Sequence, residues 1–270
     1  MHKIKLLVLS IALVIFSAGL PAQERETVAV IGTGDMGDSL GPRFAKLGYR
    51  IVYGSRNPSS DKVKALVART GEDASATTQK DAAQQGDIIL TLVPWPPMEK
   101  VAQNLGNLDG KIILDASMPF QQGADGYPEK MLETSSAEMI QGWNPGAKVV
   151  KVFGTMGAFI IDDPSVVNGP VSIPIASDHR DAKEKVAKIV AAMGLDPVDF
   201  GPLRMAREIE TMQMIYMIPL VQRRADAWEF YFRRANYWEC LWEDDFSEPV
   251  FDAGNLAEFP ETQGAAKACP

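Results

Sequence analysis

The sequence predicts an α/β protein built on a mostly parallel, doubly wound sheet. Short apolar runs recur along the chain and alternate with stretches of helical periodicity, the pattern of strands covered by helices on both faces. The first run, residues 27–31, ends directly in a glycine-rich turn that opens a helix. A chain of 270 residues, 46% hydrophobic and 23% charged, suits one such domain with a sizeable core.

The N-terminal segment stands apart. Met1, His2, Lys3, Ile4 and Lys5 make a short basic start, and residues 6–20 are uncharged and largely apolar. Ala18, Gly19, Leu20, Pro21 and Ala22 follow as small residues around a helix breaker. This is the pattern of a signal peptide cleaved after Ala22, so residues 1–22 are read as a leader and the protein as exported, periplasmic or secreted. The alternative is an uncleaved membrane anchor, for which the stretch is short. After cleavage no stable membrane span is expected.

From there the elements follow in order. Strands are expected over residues 27–31, 50–53, 87–93, 111–114, 149–153, 171–176 and 197–200. Helices are expected over 39–47, stopped by Gly48, and over 62–69 and 98–105. Residues 119–146 read as looser, with a helix over 129–141. Val186, Ile189, Val190 and Met193 recur at helical spacing within a helix over 179–193. A long helix over 203–234 is expected to kink at Pro219. Residues 26–220 thus form one domain, and 221–270 a helix end with an acidic, aromatic tail. Cys240 and Cys269 lie in that tail, where spacing alone does not decide between a disulfide and two thiols. The net charge of −8 argues against nucleic acid and anionic lipid as partners.

The chemistry is concentrated after the first strand. Gly32, Thr33, Gly34, Asp35, Met36 and Gly37 spell G-x-G-x-x-G between a strand and a helix, the context in which that pattern signifies a dinucleotide site. Gly32 permits the tight turn, Gly34 the approach of a pyrophosphate, and Gly37 the close packing of helix on strand. Gly41 and Pro42 are out of place in the helix that follows.

At the end of the second strand an NAD site places a carboxylate. Here the residues are Tyr53, Gly54, Ser55, Arg56, Asn57 and Pro58, with no acid. Ser55 can hydrogen-bond a 2′-phosphate and Arg56 can grip it bidentately, so the pattern favours NADP(H). His179 sits at an expected helix start, where capping or exposure explains it, and no metal-ligand cluster is visible. Met212, Met214 and Met217 suit core or dimer packing, or the lining of a flat hydrophobic cofactor.

The stretch VIGTGDMGDSLGPRFAKLGYRIVYGSRNP resembles the opening of the F-420-dependent NADP oxidoreductase family, to which the cytosolic domain of STEAP metalloreductases is similar. The likeness continues in TLVPWPPM, GPVSIPIASD, AAMGLDPVDFGPL and the helix containing REIETM. The resemblance implies a Rossmann-type sheet with a small C-terminal helical extension, often a homodimer interface. It implies hydride transfer between NADP(H) and a deazaflavin (coenzyme F-420) or flavin (FAD or FMN) acceptor. Thr33, Asp35 and Met36 would then line the pyrophosphate loop, and Val93, Pro94 and Trp95 would border the nicotinamide ribose. The segment Phe153, Gly154, Thr155 and Met156 would face the second cofactor. No catalytic residue is named, because such chemistry needs ring stacking rather than an acid or base. Two alternatives stay open: another NADP-dependent reductase, of imines or hydroxy acids, and an exported dinucleotide-binding module without turnover.

Overall fold

The computed structural model describes residues 25–223 and 228–233. The leader, both cysteines and the tail after Asn236 lie outside the described residues.

Six parallel strands form the main sheet. They are β1 (Thr27–Ile31), β2 (Arg50–Gly54), β3 (Ala74–Thr77), β4 (Ile88–Thr91), β5 (Ile112–Asp115) and β8 (Lys148–Lys151). Their order is β3-β2-β1-β4-β5-β8, so the winding reverses between β1 and β4 and opens a crevice at the carboxyl ends of those strands. Between β5 and β8 the chain makes an antiparallel hairpin, β6 (Phe120–Gln122) and β7 (Pro128–Lys130). A further parallel pair, β9 (Ser172–Ile175) and β10 (Asp196–Asp199), joins β8 through an antiparallel bridge between Lys151 and Ala176.

The helices are α1 (Asp35–Lys46), α2 (Asp61–Thr70), α3 (Gln79–Gln85), α4 (Met98–Asn104), α5 (Ser136–Trp143), α6 (Ala158–Asp162), α7 (Arg180–Ala192) and α8 (Ala206–Gln222). They split into two layers because side chains alternate across a strand. Val28, Val30, Ile51, Tyr53, Ile88, Leu90, Ile112 and Leu114 face one core with Leu40 and Phe44 of α1 and Val186 of α7. Ala29, Ile31, Val52, Ile89 and Ile113 face the other, against Ala82 of α3, Met98 of α4, Ile140 of α5 and Ala206 of α8. Burial on both faces explains why the strands read as continuous apolar runs.

Several elements differ from the sequence expectation, each for a local reason. β3 and α3 were not expected: ASAT is a half-exposed edge strand and QKDAAQQ is polar, and Thr78 starts the helix by accepting from the Asp81 N–H at 3.2 Å. The helix expected over 129–141 begins only at Ser136. Its first part is the hairpin strand β7, and Ser135 and Glu138 form a reciprocal capping box that sets the true start. The long helix expected over 203–234 ends at Gln222, where Arg223 turns left-handed (φ +50°). Residues 228–233 lie against the β9 side instead, with the Phe232 N–H donating to Ser172 Oγ at 2.7 Å.

The unusual Gly41–Pro42 pair also finds its reason in packing. A Cβ on Gly41 would lie 2.7 Å from Tyr53 Cζ and still closer to its hydroxyl. Tyr53 is wholly buried, its hydroxyl 2.7 Å from Thr70 Oγ1. Pro42 has no N–H for the Asp38 carbonyl, which instead receives Arg69 Nη2 at 3.4 Å. Gly41→Ala is therefore expected to lower stability by about 1–3 kcal/mol through overpacking. Urea denaturation should show it, with part of the loss recovered in the double variant that also carries Tyr53→Phe.

Candidate active site

The glycine loop joins β1 to α1 at the crevice. Gly32 has φ +129°, and a Cβ there would lie 2.5 Å from the Leu92 carbonyl oxygen, so only glycine fits against β4. At Gly37 a Cβ would run into the backbone of Gly32, with its carbonyl carbon 3.2 Å away. Gly34 differs from both. Its φ is −84°, and an added Cβ would meet no atom within 4 Å. Nothing inside the protein requires glycine at this position, and the open space is on the outer side of the turn, where a phosphate would approach. Gly34 is also the N-cap of α1 and supplies no side chain to it, which leaves the first turn's N–H groups directed outward with the positive end of the helix dipole. Thr33 and Met36 are half-buried and Asp35 is exposed beside them.

β2 delivers the second group. The Ser55 N–H donates to Thr77 O at 3.0 Å, and Ser55 Oγ accepts from the Asn57 N–H at 3.1 Å. These bonds fold the loop so that Arg56 is exposed, and none of the described residues pairs with its guanidinium. An exposed cation without an internal partner, one strand from the glycine turn, suits a phosphate dianion.

The loop after β4 carries Val93, Pro94 and Trp95. Trp95 stacks on Trp143 of α5, with ring centroids 5.9 Å apart and planes 19° from parallel, and both rings pack on the core. Pro94 is the exposed member of the three.

Past β8 the chain turns sharply at Phe153, whose φ of +64° is unusual for a residue with a side chain and costs of order 1 kcal/mol. The turn buries the Phe153 ring completely, edge-on to Phe44 at 6.4 Å. The expectation that this whole segment faces a second cofactor is thus divided: the Phe153 ring belongs to the core beneath α1. Gly154 lies instead against α8. A Cβ on Gly154 would be 2.8 Å from Gln213 Cδ, so the absence of a side chain admits the Gln213 amide.

Two features of this end have no counterpart in the sequence reading. The first is a buried ion cluster. Lys151, fully buried at the end of β8, places Nζ 3.1 Å from Asp115 Oδ2, 2.7 Å from Ser117 O, 2.8 Å from Ser136 Oγ and 2.9 Å from Glu210 Oε1. Ser136 closes the ring by donating to the carboxylates, with its N–H on Glu210 Oε1 at 2.8 Å. Burial pushes the Glu210 carboxyl up, opposed by the Lys151 charge and the Ser136 hydrogen bond. The second is a group of buried side chains without hydrogen-bond partners: Ser117 Oγ, Thr155 Oγ1 and both polar atoms of Gln213. An unsatisfied buried polar group costs about 1–3 kcal/mol. The available signal was polar residues (Ser117, Lys151, Thr155) directly after apolar strands, but Glu210 and Gln213 come from a helix far along the chain.

A small, open depression lies next to the cluster, between the β6–β7 hairpin and α8. Phe120, Lys130, Arg207, Glu210 and Met214 help line it. Arg207 holds Glu138 bidentately at 2.8 and 2.7 Å. Burial alone would raise the Glu138 carboxyl, but hydrogen bonds from Arg207, Ser135 and Thr134 outweigh it and bring it down to about 2.

Comparison with known proteins places the chain in a family. Residues 27–119 match the family described as NADP oxidoreductase, coenzyme F420-dependent. The F420-dependent NADP reductase of Methanothermobacter thermautotrophicus is 30% identical over 198 residues, covering 68% of this chain and 84% of that protein. Metalloreductase STEAP3 of Rattus norvegicus is 29% identical over 192 residues, 71% of this chain. The chain spans only 37% of that metalloreductase. A crystal structure described as a candidate F420-dependent NADP-reductase from Arthrobacter sp. FB24 superposes with a TM-score of 0.70 at 24% identity, covering 77% of this chain and 99% of that one. At that identity the likeness speaks for the fold.

Two outcomes are expected from the charges at this end. Lys151→Met leaves two buried carboxylates uncompensated and should cost about 3–5 kcal/mol in urea denaturation. Because the folded pKa of Glu138 is depressed below its ordinary 4.5, its contribution is present above that value and lost as pH falls toward about 2. Arg207→Met should therefore lower the Tm near neutral pH and flatten the acid-side loss of Tm that the parent protein shows.

Proposed function

Since the chain belongs to the coenzyme F420-dependent NADP oxidoreductase family, we propose that it transfers hydride between NADP(H), held on the β1–α1 turn and at Ser55 and Arg56, and a deazaflavin or flavin acceptor seated beside α8. The membership itself makes it an NADP-dependent oxidoreductase. The observation that carries the finer reading is Gly34: a glycine with ordinary backbone angles, no internal neighbour and a position at an uncapped helix start. A close-approaching pyrophosphate explains it.

The protein's own residues have three tasks. Gly34 and the first N–H groups of α1 bind the pyrophosphate, and Gly32 and Gly37 hold the turn against β4 and β1. Ser55 and Arg56 receive the 2′-phosphate, whose charge a carboxylate at this place would repel. The loop Val93, Pro94 and Trp95, braced by the Trp95–Trp143 stack, borders the nicotinamide ribose, while Gly154 and Thr155 border the ring. When bound, NADPH supplies the hydride and its electron pair, and the acceptor takes both. The chain contributes orientation and exclusion of water, so no acid or base is assigned. Export by residues 1–22 remains part of this proposal, and N-terminal sequencing of secreted protein should find a chain that starts at Gln23.

Binding tests the reading directly. Arg56→Ala should weaken NADPH by the equivalent of about 1.5–3 kcal/mol and leave NADH nearly unchanged, since it removes one charged partner of the extra phosphate. Equal losses for both would show that Arg56 is not the phosphate ligand. Gly34→Ala should keep the Tm of the free protein, because its methyl meets no neighbour, and yet abolish most binding of either dinucleotide. Quenching of tryptophan fluorescence reports both titrations.

A further inference from the structure

Gln213 has no structural reason to be polar. It is fully buried on α8, and both its amide nitrogen and its amide oxygen lack partners. The neighbouring segment compounds this: Thr155, 5% exposed, also has an unpartnered hydroxyl. Gly154 has no side chain, and the Gln213 amide lies over it. Among the described residues the only other such atom is Ser117 Oγ, at the end of β5 beside the Lys151 cluster. All the orphaned side chains thus gather at the carboxyl end of the sheet, and native proteins keep so few of them that each calls for an explanation. An apolar residue of the same size at position 213 would stabilise the free protein. The amide is retained at a cost to stability, the signature of a group reserved for a ligand.

The chemistry of the orphans identifies the ligand edge. A glutamine amide offers one donor face and one acceptor face in a single plane, and complements a planar group that presents an N–H next to a C=O. We infer that Gln213 is a specificity-determining residue that makes this paired hydrogen bond to an amide edge of a bound ring, with the Thr155 hydroxyl adding a third contact. The inference rests on the hydride-transfer reading above and deepens it. Two rings of that reaction carry such an edge: the nicotinamide, as its carboxamide, and a deazaflavin or flavin, as its pyrimidinedione. Glu210 and Met214, which flank Gln213 on α8, line the depression beside that helix. The ion cluster fixes the helix in this position: Glu210, one turn before Gln213, is held by Lys151 and Ser136.

The test uses the mature protein and two variants, Gln213→Met and Thr155→Val. The Tm is measured without ligand. Dissociation constants are measured by tryptophan quenching for NADPH, for its 3-acetylpyridine analogue, in which a methyl ketone replaces the amide, and for 8-hydroxy-5-deazaflavin. Gln213→Met is expected to raise the Tm by about 2–4 °C and to weaken one probe about tenfold. A loss for NADPH that is absent for the acetylpyridine analogue assigns the contact to the carboxamide. A loss confined to the deazaflavin assigns it to the pyrimidinedione. Thr155→Val should weaken the same probe by a smaller factor, and it decides the matter if Gln213→Met does not fold. Unchanged constants for NADPH and the deazaflavin overturn the inference, as does a fall in Tm with binding intact, which would make the amide structural. A parent protein that binds NADPH while the variants match it refutes only this inference. A parent protein that binds no NADPH refutes the hydride-transfer reading and this inference together.

Discussion

The carboxyl edge of this sheet depends on one buried lysine. Lys151 sits at the end of β8 with no exposed surface, and its ammonium reaches oxygens from the ends of β5, from the start of α5 and from α8. A lone ammonium could not remain charged in such a place. Two carboxylates and a serine make it tenable, and they come from elements far apart in the chain. The cluster therefore acts as a joint: it holds α5 and α8 on the carboxyl edge of the sheet and fixes the wall of the depression. Glu210 raised by desolvation and Asp115 bound to the Ser117 N–H at 2.9 Å complete a group in which every member is hydrogen-bonded. A hydrogen-bonded ion network in a core specifies geometry more sharply than apolar packing does.

The two ends of the crevice follow different design principles. The end at the β1–α1 turn is made almost wholly of backbone, with three glycines and a helix start, and adds one exposed arginine. It asks little of the rest of the fold beyond a strand and a helix in sequence. The Lys151 end is assembled from the ends of β5 and β8, the hairpin and α8, and its side chains are positioned by contacts across long separations. Phe153 shows the difference within one segment. Its left-handed backbone turns the ring into the core against Phe44 and leaves Gly154 to face Gln213.

Much of the architecture was legible beforehand because strands buried on both faces cannot avoid being apolar. β1, β2, β4, β5, β8 and β9 were all visible as such runs, and their winding followed. What was missed had weak local signals. The β3 edge strand is half-exposed, and each strand of the β6–β7 hairpin carries a single apolar residue, Phe120 or Pro128, followed by exposed polar ones, with Gly123 and Gly126 at its bend. The end of α8 was placed too late because apolar residues continue past it, and they pack on β9 as an extended segment rather than as helix.

By itself the sequence determined the parallel sheet and the glycine-rich turn between β1 and α1, because each rests on neighbours in the chain: an apolar strand and glycines at fixed spacing. Only the tertiary structure decided that Lys151, Asp115, Ser136 and Glu210 form one buried cluster, that Gly41 makes room for Tyr53, and that Gln213 lies unsatisfied over Gly154. Those are meetings of residues separated by tens of positions, and no local propensity encodes them. They arise when two cores close on opposite faces of the sheet and bring the ends of its strands under one helix.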